Sequence, residues 1–315
     1  MRMSNESTQE TSGEVNTTPT EVVPTAAPKL KSISYSQYAM WLKCPHKWKL
    51  AYIDKLHKFD GSIHTAFGTA LHHALQTYLK TLYTSTSVEA DALDVMALFT
   101  EVYNKEITKV PGLLTEQIDE FRVDAKNILD YFTAPTNRQK HFPSRAYEVI
   151  GVELPINIPL RMGKVAYKGF LDFVVKEKRT GKIKIWDFKS STQGWNSYQK
   201  VDRTKVDQLL LYKRFYNMTT SVPMDMIEVE FIILKRKLYE NSNFVQQRIQ
   251  RFSPPDGRMS MKAVEIDFLN FVKEGFDATG NYNTVSKFRK CPGKAKKNCK
   301  YCEFAKTMHC DSKEE

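Results

Sequence analysis

The stretch KIKIWDFKSS, residues 182–191, places an acid and a lysine two positions apart inside what otherwise reads as a buried β-strand. Burying an unpaired charge costs several kcal/mol, and neither Asp nor Lys favours strands, so the pair needs a physical reason. Side chains alternate across a strand, which puts Asp187 and Lys189 on one face with Ile183 and Ile185, and Trp186 and Phe188 on the other. One strand earlier, YKGFLDFVV (residues 167–175) sets another carboxylate, Asp172, in an apolar run where most acids are excluded. Two acids on adjacent strands closing on one point repel unless a divalent cation stands between them. Mg²⁺ or Mn²⁺, which take oxygen ligands and keep several waters, would suit such a pair. Taken alone, the D-x-K spacing is also what a plain ion pair of Lys189 with Asp187 or Asp172 would give.

Around this stretch the chain is long and apolar enough for a sizeable core: 315 residues, 41% hydrophobic. The 47 Lys and Arg against 36 acids leave a formal charge of +11, a surplus that suits a polyanion such as nucleic acid, or simply a solvated lysine-rich surface. No apolar run is long enough to span a membrane and the N-terminus lacks the layout of a secretory signal, so the cytosol is expected. Four of the five cysteines crowd into residues 291–310, which in a reducing compartment points to metal rather than to disulfides.

Residues 1–30 contain no aromatic residue and are rich in Ser, Thr, Glu and Pro, and are expected to form a disordered tail. From Ser32 the apolar spacing becomes helical, with a break at Cys44-Pro45, and further helices are predicted at 64–83, 89–108 and 115–132, giving a helical region over 31–140. Strands are predicted at 146–160, 164–178 and 181–190, a helix at about 203–217, strands at 226–237 and 244–252, and a helix at 260–276. This order predicts an α/β core over 141–275, with a mixed central β-sheet flanked by helices, followed by a cysteine-rich segment over 276–315 packed back near Cys44.

GFLD (169–172) followed by DFK (187–189) resembles the G-x-x-D and D-x-K core of the PD-(D/E)XK nuclease superfamily, in particular its RecB-like branch. Upstream, FGTALHH (67–73) resembles that branch's helical G-x-x-x-H, which implies that His72, preceded by Gly68, is a metal ligand; as a plain helix histidine it would be ordinary, and His73 could equally be the inward one. Glu153 in GVELPI lies where the family often carries an acid, and a surface ion pair is its bland alternative. QLLLY (208–212) resembles the branch's Q-x-x-x-Y helix motif, so Gln208 and Tyr212, one turn apart, are implied to position the substrate strand or the lysine; otherwise they read as a solvated face. The resemblance implies metal binding by His72, Asp172, Asp187 and the Phe188 backbone carbonyl, with Lys189 as the catalytic lysine.

The segments around Cys44 and CKYCEFAKTMHC (299–310) resemble the split cysteine set of the iron–sulfur members, including AddB and the CRISPR-adaptation nucleases. That pattern implies a [4Fe–4S] cluster on Cys44, Cys299, Cys302 and Cys310. The chain departs from it in its fifth cysteine, Cys291, and in the wide gap from Cys302 to Cys310. Structural Zn²⁺ on Cys291, Cys299, Cys302 and Cys310, with His309 as a further possible ligand, is chemically open. KFRKCPGKAKKNCK (287–300) carries seven Lys or Arg in fourteen residues, a density that would attract phosphates. Trp195 could stack on an unpaired base or anchor a loop.

The reading is therefore a Mg²⁺- or Mn²⁺-dependent deoxyribonuclease. The resemblance implies an exonuclease acting on DNA that is single-stranded or has free ends, in recombination, repair or replication. No G-x-x-x-x-G-K-[ST] loop is present, so any unwinding would come from a helicase or recombination partner. The competing reading is a non-catalytic or partner-dependent nucleic-acid-binding subunit of a recombination or CRISPR-adaptation complex.

Overall fold

The computed structural model describes residues 31–57, 61–161 and 163–310; the tail expected at 1–30 lies outside them. In chain order the elements are β1 (Lys31–Ile33), α1 (Tyr35–Lys43), α2 (Pro45–Trp48), which runs on into a π-helical turn, α3 (Ile63–Thr84), α4 (Ser87–Asp91), α5 (Val95–Ile107), α6 (Thr115–Thr133) and α7 (Pro135–His141). There follow β2 (Tyr147–Leu160), β3 (Val165–Glu177), β4 (Ile183–Ser191), α8 (Ser197–Lys200), α9 (Arg203–Thr220), β5 (Ile227–Lys235), β6 (Ile249–Phe252) and α10 (Arg258–Gly275).

The break between α1 and α2 falls where Pro45 forbids continuation. Cys44 is extended at φ −161° and ψ 104°, and Pro45 opens the next helix at a position where its missing N–H costs nothing. The single helix expected at 89–108 is two, because Asp94 leaves helical geometry and its side chain accepts from the Ala97 N–H at 2.8 Å, starting α5 afresh. The strand expected from 244 begins only at Ile249, and the residues between Lys235 and Ile249 form a long loop. β1 and α7 carry too short an apolar pattern to be read in sequence.

The six strands form one mixed sheet. β2 runs antiparallel along the whole of one edge of β3. The other edge is shared: β1 pairs in parallel with Val165–Tyr167, and β4 pairs antiparallel with Phe173–Lys176. β5 is parallel to β4, with α9 as the crossover, and β6 closes antiparallel on β5. Alternation then sorts the apolar residues into two cores, one on each side of the sheet. Ile183, Ile185, Val229, Phe231 and Ile233 pack under α1, α9 and α10. Trp186, Phe188, Ile232 and Leu234 pack under α3, α5 and α6. This is the expected α/β class, a mixed central sheet between helical layers.

α10 closes against the N-terminal helices at Gly275. A Cβ there would stand 2.8 Å from Cη2 of Trp48, whose ring is fully buried among Phe271, Phe276 and Phe288. Gly275→Ala therefore overpacks a site that cannot yield, and the expected cost is about 1–3 kcal/mol in urea unfolding. A variant as stable as wild type would show that this contact relaxes freely.

Candidate active site

The pairing of β3 with β4 stops at Phe173–Trp186, although both strands run on past that point. Beyond it the strands part, and three irregularities gather there. Leu171 packs into the core under α9 while Phe173 packs into the core under α3, so the face alternation slips by one residue across Asp172. On β2 the register shifts between Val149 and Gly151, and Glu153 sits at φ +48°, a left-handed conformation that costs a non-glycine residue about 1–3 kcal/mol. In the gap, the Phe188 N–H, lacking a β3 carbonyl partner, donates to Asp172 Oδ2 at 2.8 Å.

α3 supplies the third side of the site. Its apolar positions from Ala66 to Leu82 recur at helical spacing and bury one face on the sheet, which directs His72 inward and leaves His73 exposed. His72 Nδ1 lies 3.4 Å from Asp172 Oδ2, and its ring meets Phe188 edge-on at 5.9 Å. One turn on, the Gln76 amide donates to Glu153 Oε1 at 2.6 Å and to the Asp172 backbone carbonyl at 3.1 Å. Gln76 thus ties helix, bulge and strand together. It was not among the residues expected from sequence, although its place four residues after His72 on the same helix face was the available signal.

Among the described residues, His72, Glu153 and Asp172 are the only group of three or more metal-competent side chains whose ligand atoms all lie within 4.8 Å of one another. Asp187 is outside that tight set and only 1% exposed; its Oδ1 has no hydrogen-bond partner and its Oδ2 meets the Lys189 ammonium at 2.6 Å. A buried carboxylate oxygen without a donor, beside a His–Glu–Asp group, fits a divalent cation held by oxygen and imidazole ligands. Tyr212, buried on α9, accepts from Gln208 Nε2 at 3.0 Å; burial and then the Asp187 charge push its hydroxyl pKa up, so it stays a donor. Trp195 does not present its face to solvent: it is 7% exposed, packs on Phe231 and Phe252, and anchors its loop through a Gln250 hydrogen bond to its backbone N–H.

Burial raises both Asp172 and Asp187 to about 6, against the opposing pull of Lys189. Burial draws Lys189 down, but the Asp187 and Asp172 charges outweigh it and hold the ammonium above its ordinary value. His72 is lowered, first by burial and then by Lys189.

A family model of the PD-(D/E)XK nuclease superfamily matches residues 32–307. The chain belongs to that superfamily. No curated protein matches the sequence. Among solved structures, one of a candidate exonuclease from Eubacterium rectale is similar, with 11% identity, a TM-score of 0.48, and coverage of 83% of this chain and 85% of that one. In this PD-(D/E)XK nuclease the D-x-K acid and lysine stand together on β4, and the acid of G-x-x-D reaches across to the same strand's backbone.

The nuclease has a second polar concentration away from the sheet. All five cysteines, none in a disulfide, line one cavity of about 490 Å³ between α2 and the C-terminal segment. Burial raises the Cys310 thiol, and the charges of Cys302, Cys44 and Cys299 add to this. Cys291 donates its backbone N–H to Cys44 Sγ at 3.4 Å. No helix among the described residues is long and apolar enough to cross a membrane.

The carboxyl shifts make stability depend on pH. With the folded pKa of Asp187 above its unfolded value, the folded state binds the proton more tightly, so metal-free stability falls as pH rises from about 4 to about 6 and stays low above that. In EDTA, Asp187→Asn should be more stable than wild type at pH 8 by on the order of 2 kcal/mol, the gain fading towards pH 4. Urea midpoints across that range test it, and parallel profiles would show that Asp187 is not desolvated.

Proposed function

We propose that this nuclease is a Mg²⁺- or Mn²⁺-dependent deoxyribonuclease of the RecB-like branch, acting as an exonuclease on single-stranded DNA ends. What carries the reading is one observation: the buried Asp187, the largely buried Asp172 and a lysine at the parting of β3 and β4, with His72 and Glu153 brought against Asp172. His72, Glu153, Asp172 and Asp187, with the Phe188 carbonyl, would hold the cation. Bound there, Mg²⁺ or Mn²⁺ supplies Lewis-acid polarisation of a phosphodiester and lowers the pKa of an attacking water.

The chain's own groups do the rest. Lys189, kept protonated by Asp187, is suited to donating to the phosphate oxygens as negative charge develops, rather than to taking a proton. Gln76 fixes the Glu153 carboxylate and the Asp172 backbone. The Gln208–Tyr212 pair offers a hydroxyl donor on the α9 side of the sheet, within the field of Asp187. The net charge of +11 favours a polyanionic substrate. Unwinding would fall to a partner, since the chain has no phosphate-loop motif.

For the cysteine cavity, we favour a [4Fe–4S] cluster on Cys44, Cys299, Cys302 and Cys310. All five cysteines line the one cavity, Cys44 from the N-terminal helices and the others from the C-terminal segment, as the split set of the resemblance expects. The Cys291 N–H directed at Cys44 Sγ leaves Cys291 as a donor to a ligand sulfur and the other four cysteines to complete the cluster's ligand set. The cluster would join α2 to the C-terminal segment.

Two experiments test these readings. Incubated with Mn²⁺, protein prepared without oxygen should degrade linear but not circular single-stranded DNA, and Lys189→Ala should lower the rate by at least about 100-fold with DNA binding retained. A variant as active as wild type removes Lys189 from the chemistry; binding without cleavage by either protein favours a non-catalytic subunit. Iron, sulfide and zinc analysis of the same preparation should give iron and sulfide in about equal amounts, lost in Cys44→Ser. Zinc retained in Cys44→Ser would give the site to the other cysteines.

A further inference from the structure

β4 leads directly from Lys189 into a second surface that the nuclease site does not use. β4 and β5 are parallel and in register to Ser191–Lys235, and the pairing continues as Arg236 and Lys237 donate their N–H groups to the carbonyls of Ser191 and Thr192. The loop from Leu238 to Gln247 therefore springs from the C-terminal ends of the parallel strands β4 and β5, the end towards which Asp187 and Lys189 lie on β4. With a rise of about 3.3 Å per residue, Thr192 is about 10 Å from Lys189. Loop and Thr192–Gln193 enclose an open cavity of about 980 Å³.

The loop is built rather than slack. Its root is tied to α6 by Arg236 and Lys237, which pair with the buried Asp124 at 3.1 and 2.9 Å. Arg248 donates back to the carbonyls of Lys235 and Arg236. Within the loop, Gln246 accepts from the Tyr239 N–H at 2.8 Å and donates to its carbonyl at 2.6 Å, and the Ser242 hydroxyl accepts from the Phe244 N–H. This scaffold holds aromatic rings out in water: Phe244 is 85% and Tyr239 60% exposed. Tyr198 on α8, across Thr192–Gly194, is 78% exposed. Single exposed rings are ordinary, but two of them, Tyr239 and Phe244, line the same cavity. Lys200, Lys205 and Lys235 form no ion pair with an acid among the described residues: Lys200 lies over the Phe252 ring and Lys205 over the Trp195 ring, both at 5.6 Å, and Lys235 lies against Gly194.

We infer that the 238–247 loop is a stacking platform for unpaired bases: Tyr239 and Phe244 take the faces of nucleotides flanking the cleaved bond, while Lys200, Lys205 and Lys235 meet their phosphates. The occupant is single-stranded nucleic acid. Stacking requires base faces that a duplex keeps hidden, and cations without an acidic partner beside exposed rings match the alternating charge and π-surface of such a strand. The inference rests on the proposed nuclease site, because only a strand passing Lys189 is delivered to this loop. It moves the stacking role from Trp195, which the core consumes, to rings that remain free.

Anisotropy with a labelled single-stranded oligothymidine and with a matched duplex, in EDTA, separates this from general electrostatics. Phe244→Ala should weaken single-strand binding about 5- to 150-fold, the range for loss of one base–aromatic stack, with duplex affinity unchanged and Phe244→Trp restoring it; Tyr239→Ala should act alike. Both rings are exposed, so truncation leaves the fold intact, which circular dichroism confirms. Unchanged single-strand binding, or equal losses for strand and duplex, overturns the platform. Cleavage is read separately with Mn²⁺. Loop variants that lose single-strand binding while wild type cleaves nothing would uphold the platform and sink the nuclease proposal; normal cleavage with unaltered binding would do the reverse.

Discussion

Everything around the parting of β3 and β4 answers one constraint: two carboxylates, Asp172 and Asp187, are held out of water in the middle of a sheet. Desolvation alone would protonate them near neutral pH or expel them. Asp172 is kept by the Phe188 N–H that the parting strands leave free, and Asp187 by the Lys189 ammonium beside it. The parting is in turn permitted by β1, which takes the near end of the β3 edge so that β4 need not follow it. The left-handed Glu153 belongs to the same arrangement: it follows the register shift on β2, and its carboxylate accepts from the Gln76 amide. A sheet that paired regularly here would be more stable and would have no site.

The cysteine cavity solves a different problem. α1 ends at Cys44 because Pro45 cannot extend it, and the chain from Phe276 onward has little regular structure of its own. Trp48 and its ring neighbours join α2 to α10, but the segment beyond residue 290 meets the N-terminal helices through polar contacts, such as Lys47–Glu303 at 2.7 Å and Asn298 to the Lys43 carbonyl at 3.1 Å, through the cysteine cavity, and through a small apolar cluster of Leu50, Ala51 and Phe304. So small an apolar contact buries little area, and a metal group held by the thiols, as proposed, would add to it. The candidate site and the cysteine cavity thus offer opposite chemistries, carboxylates within the sheet with an imidazole against them, and soft sulfurs at its periphery.

Much of the fold was legible because its strands and helices are long and periodic. β2 to β5, α3, α6, α9 and α10 lie close to where alternation and the 3.6 period put them. The candidate residues were also legible: charges in apolar strands have few explanations, so Asp172, Asp187 and Lys189 stood out as a candidate site. Short elements were not, since the three residues of β1 have no period to read. Nor were Gln76 and the exposure of Phe244, because an amide in a helix and an aromatic in a loop look the same whether or not they face something.

By itself the sequence determined the class of fold, the strands that carry charge, and the residue types from which a site could be made, because periodicity and the cost of burial act locally along the chain. Only the tertiary structure decided which histidine faces inward, that Glu153 reaches Gln76 across 77 positions of chain, that Trp195 is spent in the core, and that Tyr239 and Phe244 stand free. Those outcomes depend on where β3 and β4 separate and on which helix lies over the gap, and such long-range placement follows from the joint packing of two cores on one sheet rather than from any segment's own preference.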